Sequence, residues 1–402
     1  MQERFVVAAG RVAPGSSPAF EDGAVLVEAG RVRAIGRRAD VLAAAAGAPL
    51  IHDAPEGVIT PGLVDAHTHS AWMGSRHDEY AVRLGGGDYE AIAKAGGGIV
   101  STMRAVRAAT TESIVTSLRA RLRRMAAMGV TTVEIKSGYG LDEEGERKQL
   151  EAIAEVARDP SLPRVVATYL ALHAIPPERK ADRAAYVDDV ATKWLPAVAA
   201  AGLARFVDAY VDRAAFTVDE ARTVLAKARA LGLGVRIHAG QFADVGAAEL
   251  AAELGAHSAD HLECVSAAGL AAMAAKGTAA VLLPVASFTL GQAPPPVAAM
   301  RASGVRMIVA SDANPGTAPT ESLPLAMAMA ARAYGLTPEE TFDGATVHAA
   351  RSLDLGDVGT LDLGASADLV VWRLPHERAL IQPWGAPPIA AVIARGVPLI
   401  TA

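Results

Sequence analysis

Short apolar segments rich in β-branched residues recur eight times along the middle of the chain, separated by longer segments with helical patterning. Near-continuous apolar runs predict strands that are buried on both faces of a parallel sheet. The predicted strands are residues 59–66, 131–136, 164–172, 206–211, 235–239, 258–262, 278–284 and 306–311. Eight strand–helix units in about 290 residues predict an α/β fold, a (β/α)8 TIM barrel. A doubly wound sheet is the alternative, but no G-x-G-x-x-G follows the first strand.

The segments between the predicted strands carry helix signals. Residues 217–220 read Thr-Val-Asp-Glu and residues 337–340 read Thr-Pro-Glu-Glu, and both patterns are capping boxes that begin helices. Residues 114–125 place apolar side chains at helical spacing, which predicts an amphipathic helix there. These signals support the barrel, in which a helix follows each strand.

Both ends of the chain have a different, strand-rich pattern. Residues 24–27 predict a short strand, Ala29-Gly30 a turn, and residues 31–35 alternate polar with apolar, while residues 358–372 and 390–393 have the same character. Because the termini of a domain often lie close together, the two ends predict one small sheet domain. The predicted boundaries are 1–58 for its first part, 59–350 for the barrel and 351–402 for its second part.

Composition and charge exclude several classes of protein. Apolar residues make up 51% of the chain and charged residues 20%, which excludes a mainly disordered chain. The net charge of −6 argues against a nucleic-acid-binding surface. The single cysteine, Cys264, excludes a disulfide framework and a cysteine-rich zinc site. We find neither an export signal nor an apolar run near the roughly 20 residues of a membrane helix, so we expect a cytoplasmic protein with no membrane partner.

Histidines and one aspartate stand where predicted barrel strands end. His67 and His69 are two residues apart, so on a strand both side chains point to the same face. The other strand-end residues are His173, His238, His261 and Asp312. Each alone is more often a structural histidine or a helix cap. Together, His67, His69, His238 and Asp312 predict a catalytic metal site with three nitrogen ligands, one oxygen ligand and an open position for water.

Longer motifs place the chain near a known family. Residues 61–69, Pro-Gly-Leu-Val-Asp-Ala-His-Thr-His, resemble the first-strand signature of the metal-dependent amidohydrolase superfamily, which joins a barrel to a small β-sandwich made from both chain ends. Further blocks resemble the imidazolonepropionase branch from about residue 20 onward. They are Gly74-Ser75-Arg76, residues 97–102, Glu134-Ile135-Lys136-Ser137-Gly138-Tyr139-Gly140-Leu141, His173-Ala174-Ile175-Pro176-Pro177, Ser258-Ala259-Asp260-His261-Leu262 and Asp312-Ala313-Asn314-Pro315-Gly316-Thr317.

The resemblance implies hydrolytic ring opening of 4-imidazolone-5-propanoate to N-formimidoyl-L-glutamate, a step of histidine degradation. It implies one divalent or trivalent metal ion per subunit, zinc or iron, and a homodimer. It places the metal on the four residues proposed above. It places the small anionic substrate on seven residues: Arg76, Tyr139, His173, Gln241, Asn314, Gly316 and Thr317.

The chemistry of these residue types agrees with that reaction. A guanidinium can grip a carboxylate with two hydrogen bonds, so Arg76 suits the propanoate, although an ion pair with Asp78 or Glu79 is the alternative. Asp312 and His261 are the catalytic candidates, and the sequence leaves open which of them is the general base. Glu134 and Lys136 raise the alternative of a second metal on a modified lysine, which the one-metal family disfavours.

Two positions depart from the family pattern. Gly240 stands where relatives often carry an acid, and Ala313 where they often carry phenylalanine, which bears on the substrate range. Gln241 stands where related deaminases use a glutamate to shuttle protons, and an amide cannot do so. The alternatives are therefore an aminohydrolase of heterocyclic bases, which predicts glutamate at 241, and a non-catalytic scaffold, which predicts loss of a metal ligand.

Overall fold

The computed structural model describes residues 4–86 and 97–401, and its strands form two sheets. The strands are β1 (Arg4–Val12), β2 (Phe20–Glu28), β3 (Arg31–Arg37), β4 (Leu50–Pro61), β5 (Leu63–Asp65), β6 (Val130–Lys136), β7 (Arg164–Leu172), β8 (Phe206–Val211), β9 (Gly234–Ala239), β10 (Ser258–His261), β11 (Ala279–Leu282), β12 (Met307–Val309), β13 (Leu369–Trp372), β14 (Ile389–Ala394) and β15 (Val397–Thr401).

The first helix packs against the smaller sheet, and the others follow the barrel strands. They are α1 (Arg38–Ala44), α2 (His77–Leu84), α3 (Ile99–Ala108), α4 (Thr111–Ala127), α5 (Glu143–Ala157), α6 (Arg183–Asp189), α7 (Leu195–Ala200), α8 (Val218–Ala230), α9 (Ala247–Glu253), α10 (Ala267–Lys276), α11 (Pro284–Leu290), α12 (Val297–Ser303), α13 (Leu323–Met329), α14 (Pro338–Gly344) and α15 (Val347–Ser352). Short 3-10 turns span Pro177–Asp182 and Glu377–Ile381, and π-helical turns span Val190–Trp194 and Ala330–Tyr334. Both predicted capping boxes are present, at the starts of α8 and α14.

The larger sheet confirms the predicted (β/α)8 barrel. Its eight strands run in sequence order from β5 to β12, and every neighbouring pair is parallel. Seven of the eight predicted strands agree with observed strands to within two residues at each end. Their side chains are almost all buried because helices cover the outside and the strands face one another inside.

The barrel closes through the residues that follow its first and last strands. Thr68 and Ala313 form a parallel bridge. The His69 amide donates to the Ala313 carbonyl over 3.0 Å, and the Asp312 amide donates to the His67 carbonyl over 3.1 Å. We call this junction, residues 67–69 and 312–313, the seam. The seam therefore carries three of the four predicted metal ligands.

The first predicted barrel strand, residues 59–66, is divided between the two sheets. Residues up to Pro61 belong to β4 of the smaller sheet, and β5 begins at Leu63. The break lies at Gly62, where a β-carbon would come within 2.1 Å of Thr131 Oγ1, so the chain passes close to β6 there. A continuous apolar run does not reveal such a bend, because both halves are buried in separate cores.

The smaller sheet confirms that both ends of the chain build one domain. Its order is β15-β14-β13-β4-β1-β2-β3, and the join is the antiparallel pairing of β13 with β4. Strands from both ends bury a shared apolar cluster, in which Phe5 and Val25 lie with Leu369 and Ile393. The predicted domain boundaries after residues 58 and 350 stay predictions. Among the described helices, none is long and apolar enough to cross a membrane.

Candidate metal centre and substrate pocket

Four side-chain atoms converge at the seam. The Nε2 atoms of His67 and His238 each lie 3.3 Å from Nε2 of His69. Asp312 Oδ1 lies 3.5 Å from His67 Nε2 and 3.4 Å from His69 Nε2. All four side chains are at most 5% exposed. The structure thus brings together the four residues predicted to bind the metal, from the ends of β5, β9 and β12.

The hydrogen bonds of the histidines fit a metal ion. His67 Nδ1 lies 2.6 Å from Asp260 Oδ2, and His238 Nδ1 lies 3.1 Å from Asp208 Oδ1. A carboxylate partner requires the proton on Nδ1, which leaves the Nε2 lone pairs pointing at one another. Burial lowers the pKa of His67 and His69 well below the usual range, so both rings are neutral, as metal ligands must be. Lone pairs and a carboxylate gathered this closely are the donor set of a cation site.

A buried lysine contacts a carboxylate that bonds to one of these histidines. Lys136 Nζ donates to Glu134 over 2.9 Å and lies 2.8 Å from Asp208 Oδ2. Burial opposes the charge, but Asp208 and Glu134 outweigh it and raise the pKa of Lys136 above its usual value. Lys136 is therefore an ammonium that neutralises two buried carboxylates. A second metal on a modified Lys136 would replace this positive charge by a negative one, so the geometry disfavours that alternative.

The sequence reading missed Asp208 and Asp260, which contact two of the proposed metal ligands. Each is a fully buried acid within a barrel strand, β8 and β10 respectively. Charged residues are almost never fully buried unless they are paired. An aspartate within a predicted buried strand was therefore a usable signal for a residue that orients a ligand.

The backbone is strained where the strand ends present their side chains. Asp312, His261 and Leu262 have φ values of 54°, 79° and 69°, a region that favours glycine. Asp65 holds the segment before Asp312, because it accepts hydrogen bonds from the Ser311 amide and hydroxyl. Such strain persists only where the surroundings enforce it, and it commonly marks functional sites.

Two aromatic rings lie beside the centre. The His173 ring stacks on His69 with centroids 5.4 Å apart, and the Tyr139 ring lies 5.2 Å from His173. Burial lowers the pKa of His173 well below the usual range. Its Nδ1 lies 2.6 Å from the Gly138 carbonyl, so the ring carries its proton there and Nε2 is an acceptor.

Arg76 lies next to Gly316 in the turn that follows Asp312. Its Nε donates to Glu79 over 2.8 Å, so the predicted alternative of an ion pair holds, but the side chain is only 5% exposed. A β-carbon on Gly316 would lie 2.2 Å from Arg76 Nη1. Asn314 shapes this turn, since its Oδ1 accepts from the amides of Gly316 and Thr317 over 2.8 Å each. The structure thus brings Arg76 and the Asn314–Thr317 turn together.

Gln241 is oriented by a tyrosine that the sequence reading did not single out. The Tyr210 hydroxyl donates to Gln241 Oε1 over 2.9 Å, and the Tyr210 ring lies 5.8 Å from the His238 ring. With its oxygen engaged, Gln241 keeps its Nε2 amide group as the donor. His261 also lies at the centre, with its ring 5.5 Å from His238, and burial lowers its pKa to about 3.

Comparisons with known proteins agree with this geometry. The amidohydrolase family profile matches residues 58–399. An imidazolonepropionase from Acidiphilium cryptum is 48% identical over 379 residues, covering 94% of this chain and 93% of that protein. One from Caulobacter vibrioides is 45% identical over 394 residues, covering 96% of each.

Solved structures show the same fold at lower identity. An adenosine deaminase from Xanthomonas campestris with bound zinc has a TM-score of 0.72 at 19% identity, covering 99% of this chain and 93% of that one. A triazine hydrolase variant also has a TM-score of 0.72, at 16% identity, covering 99% of this chain and 95% of that one.

Proposed function

Because the chain belongs to the imidazolonepropionases of the amidohydrolase family, we propose that its metal centre opens the ring of 4-imidazolone-5-propanoate, giving N-formimidoyl-L-glutamate. The reaction is a hydrolysis of a cyclic amide C–N bond in histidine degradation. The observation that carries the proposal is the convergence of three imidazole Nε2 atoms and one carboxylate oxygen at the ends of barrel strands. Gln241, which cannot shuttle protons, speaks against the alternative of a deaminase.

The metal site is a single one on His67, His69, His238 and Asp312. Three imidazoles and one carboxylate suit zinc and iron alike, so we propose one zinc or iron ion, divalent or trivalent, per subunit. When bound, the ion supplies Lewis acidity, which acidifies a water molecule and polarises the ring carbonyl. Elemental analysis of the purified protein is expected to find one equivalent per chain, and two equivalents would contradict the proposal.

The residues of the chain bind the substrate and move its protons. Arg76 holds the propanoate, Tyr139 and His173 bind along the ring, and Gln241 donates to it through its amide group. Asn314, Gly316 and Thr317 line the product end. The water oxygen bonds to the carbonyl carbon, the ring C–N bond breaks, and the leaving nitrogen takes a proton. Asp312 and His261 lie at the centre, where they can receive the water proton and return it.

Metal-dependent turnover tests this function directly. We expect the metal-loaded protein to consume freshly generated 4-imidazolone-5-propanoate and the chelated protein to regain that activity when the ion is restored. The loss of substrate absorbance and the appearance of N-formimidoylglutamate measure the reaction. Absence of metal-dependent turnover in fully loaded protein would overturn the proposal.

Arg76→Ala tests the assignment of the carboxylate site. A charge-assisted hydrogen bond contributes about 2 kcal/mol, so we expect kcat/KM to fall roughly 30-fold. Arg119→Ala, which removes an arginine that is 31% exposed and paired with Asp159, is the matched control and is expected to leave kcat/KM unchanged. Equal losses in the two variants would remove Arg76 from the site.

Assembly and location remain predictions. The resemblance implies a homodimer, which light scattering on the purified protein would test. The cytoplasmic location rests on the sequence alone. The substrate is a small anion, and the net charge of −6 makes nucleic acid an unsuitable partner.

A further inference from the structure

A buried glutamate lies behind His261. Glu263 follows β10, and its side chain is only 3% exposed. Its Oε1 accepts a hydrogen bond from Ser287 Oγ, which in turn accepts one from the Tyr334 hydroxyl. Its Oε2 faces His261 Nδ1 at 3.9 Å. The carboxylate therefore stands between a chain of hydroxyl donors and the imidazole of a proposed catalytic residue.

Both atoms that face each other lack another partner. Across residues 4–86 and 97–401, Glu263 Oε2 and His261 Nδ1 are buried and make no hydrogen bond. Buried polar atoms are seldom left unpaired in folded proteins. A small rotation of either side chain would close the gap between them, and that contact would satisfy both atoms at once.

The position of Glu263 also answers a chemical need of the site. Gln241 and Gly240, on the segment after β9, offer no carboxylate beside the reacting centre. Glu263 comes from the segment after the neighbouring strand, and the two segments are joined by the Cys264 amide, which donates to the Gly240 carbonyl over 2.8 Å. Burial raises the pKa of Glu263 to about 7, and the hydrogen bond that Ser287 donates to it favours its ionised form.

We propose that Glu263 is a positioning residue that holds the proton of His261 on Nδ1. With Nδ1–H donating to Glu263, the neutral ring presents the lone pair of Nε2 to the centre. His261 then accepts the water proton at Nε2 and returns it to the leaving nitrogen. It has no Nε2 proton with which to steady an oxyanion. The ionised Glu263 carboxylate balances the positive charge that His261 carries between the two transfers.

This inference rests on the proposed hydrolase function, but its first test does not need turnover. Nitrogen NMR of 15N-histidine-labelled, zinc-loaded protein distinguishes the two neutral tautomers of a histidine. The His261 signals are identified as those missing from His261→Asn. We expect wild-type His261 to show a protonated Nδ1, and Glu263→Leu to shift its proton to Nε2. A protonated Nε2 in the wild-type protein would overturn the proposal, whatever the activity measurement shows.

Kinetics provide the second test. In Glu263→Gln, the amide oxygen can still accept from Nδ1–H but the charge is lost. We therefore expect kcat to fall about 10-fold with an unchanged KM, and Glu263→Leu to lose about 100-fold. Glu253→Gln changes a carboxylate that is 54% exposed and paired with Arg222, and it is the control, with an expected loss below 3-fold. Metal content and the thermal midpoint are measured for every variant. A Glu263→Leu variant that is folded, metal-loaded and as active as wild type would refute the role.

Discussion

At the residue scale, Asp208 connects the Lys136 ammonium to the His238 imidazole. We expect Asp208→Asn to weaken metal binding 10–100-fold, because a carboxylate that orients a ligating histidine also raises its basicity. Competition with a chromophoric chelator measures the affinity. Asp343→Asn, in α14 and remote from the centre, is expected to bind the metal as the wild type does. Unchanged affinity in Asp208→Asn would show that the contact with His238 does not support the ligand.

Gly316 is the one residue of the Asn314–Thr317 turn whose missing side chain has a definite function. A β-carbon on residue 316 would lie 2.2 Å from Arg76 Nη1, so the guanidinium would have to move away. We therefore expect Gly316→Ala to raise KM about 10-fold and to leave the fold intact. Gly356→Ala adds a methyl group where nothing lies within 4 Å and is the control. Steady-state kinetics separate the two variants, and equal KM values would argue that Arg76 has room to move.

The sequence predicted the position of a site residue where both its type and its place at a strand end indicated a metal ligand. His67, His69, His238 and Asp312 stand directly at strand ends, and the structure brings them within hydrogen-bonding distances of one another. Tyr210 was not predictable, because its role depends on the orientation of the Gln241 amide, a contact between neighbouring strands that no local pattern encodes.

Element boundaries follow local chemistry at the scale of helices and strands. The predicted capping box at Thr217 begins α8, where Thr217 accepts from the Glu220 amide and Glu220 bonds back to Thr217. Local chemistry also sets the strand boundaries. Most apolar runs end at a polar residue, and the observed strands end close to that position. The division at Gly62 escaped prediction because it depends on the distance to Thr131, which belongs to another strand.

A cap variant tests the local contribution of α8. We expect Thr217→Ala to lower the free energy of unfolding by about 1 kcal/mol, because the helix loses its N-terminal hydrogen bond. Thr223→Ala, inside the same helix, removes a hydroxyl that bonds only to the Asp219 carbonyl and is expected to change stability less. Urea unfolding measures both variants. A change in kcat/KM for Thr217→Ala would contradict the purely structural role.

At the scale of the whole molecule, the proposed metal centre lies at the seam, where the barrel closes. Because three of the proposed ligands belong to the seam, an ion bound to them would link the first barrel strand to the last. We expect removal of the ion to lower the thermal midpoint and to speed amide exchange first at His69 and Asp312, which donate across the seam. Hydrogen exchange with mass spectrometry measures this, and β1 in the smaller sheet is the internal control. Uniform faster exchange throughout both sheets would contradict a local effect.

The two sides of the seam are synthesised at different times, because residues 67–69 and 312–313 are far apart in the sequence. His67 and His69 emerge from the ribosome long before Asp312, and at 5–20 residues per second the delay is on the order of tens of seconds. Until Asp312 emerges, the nascent chain has only part of the ligand set and an unclosed row of parallel strands. The smaller sheet waits longer still, because β4 pairs with β13 on the far side of the barrel sequence. The four-residue ligand set is therefore complete only late in synthesis.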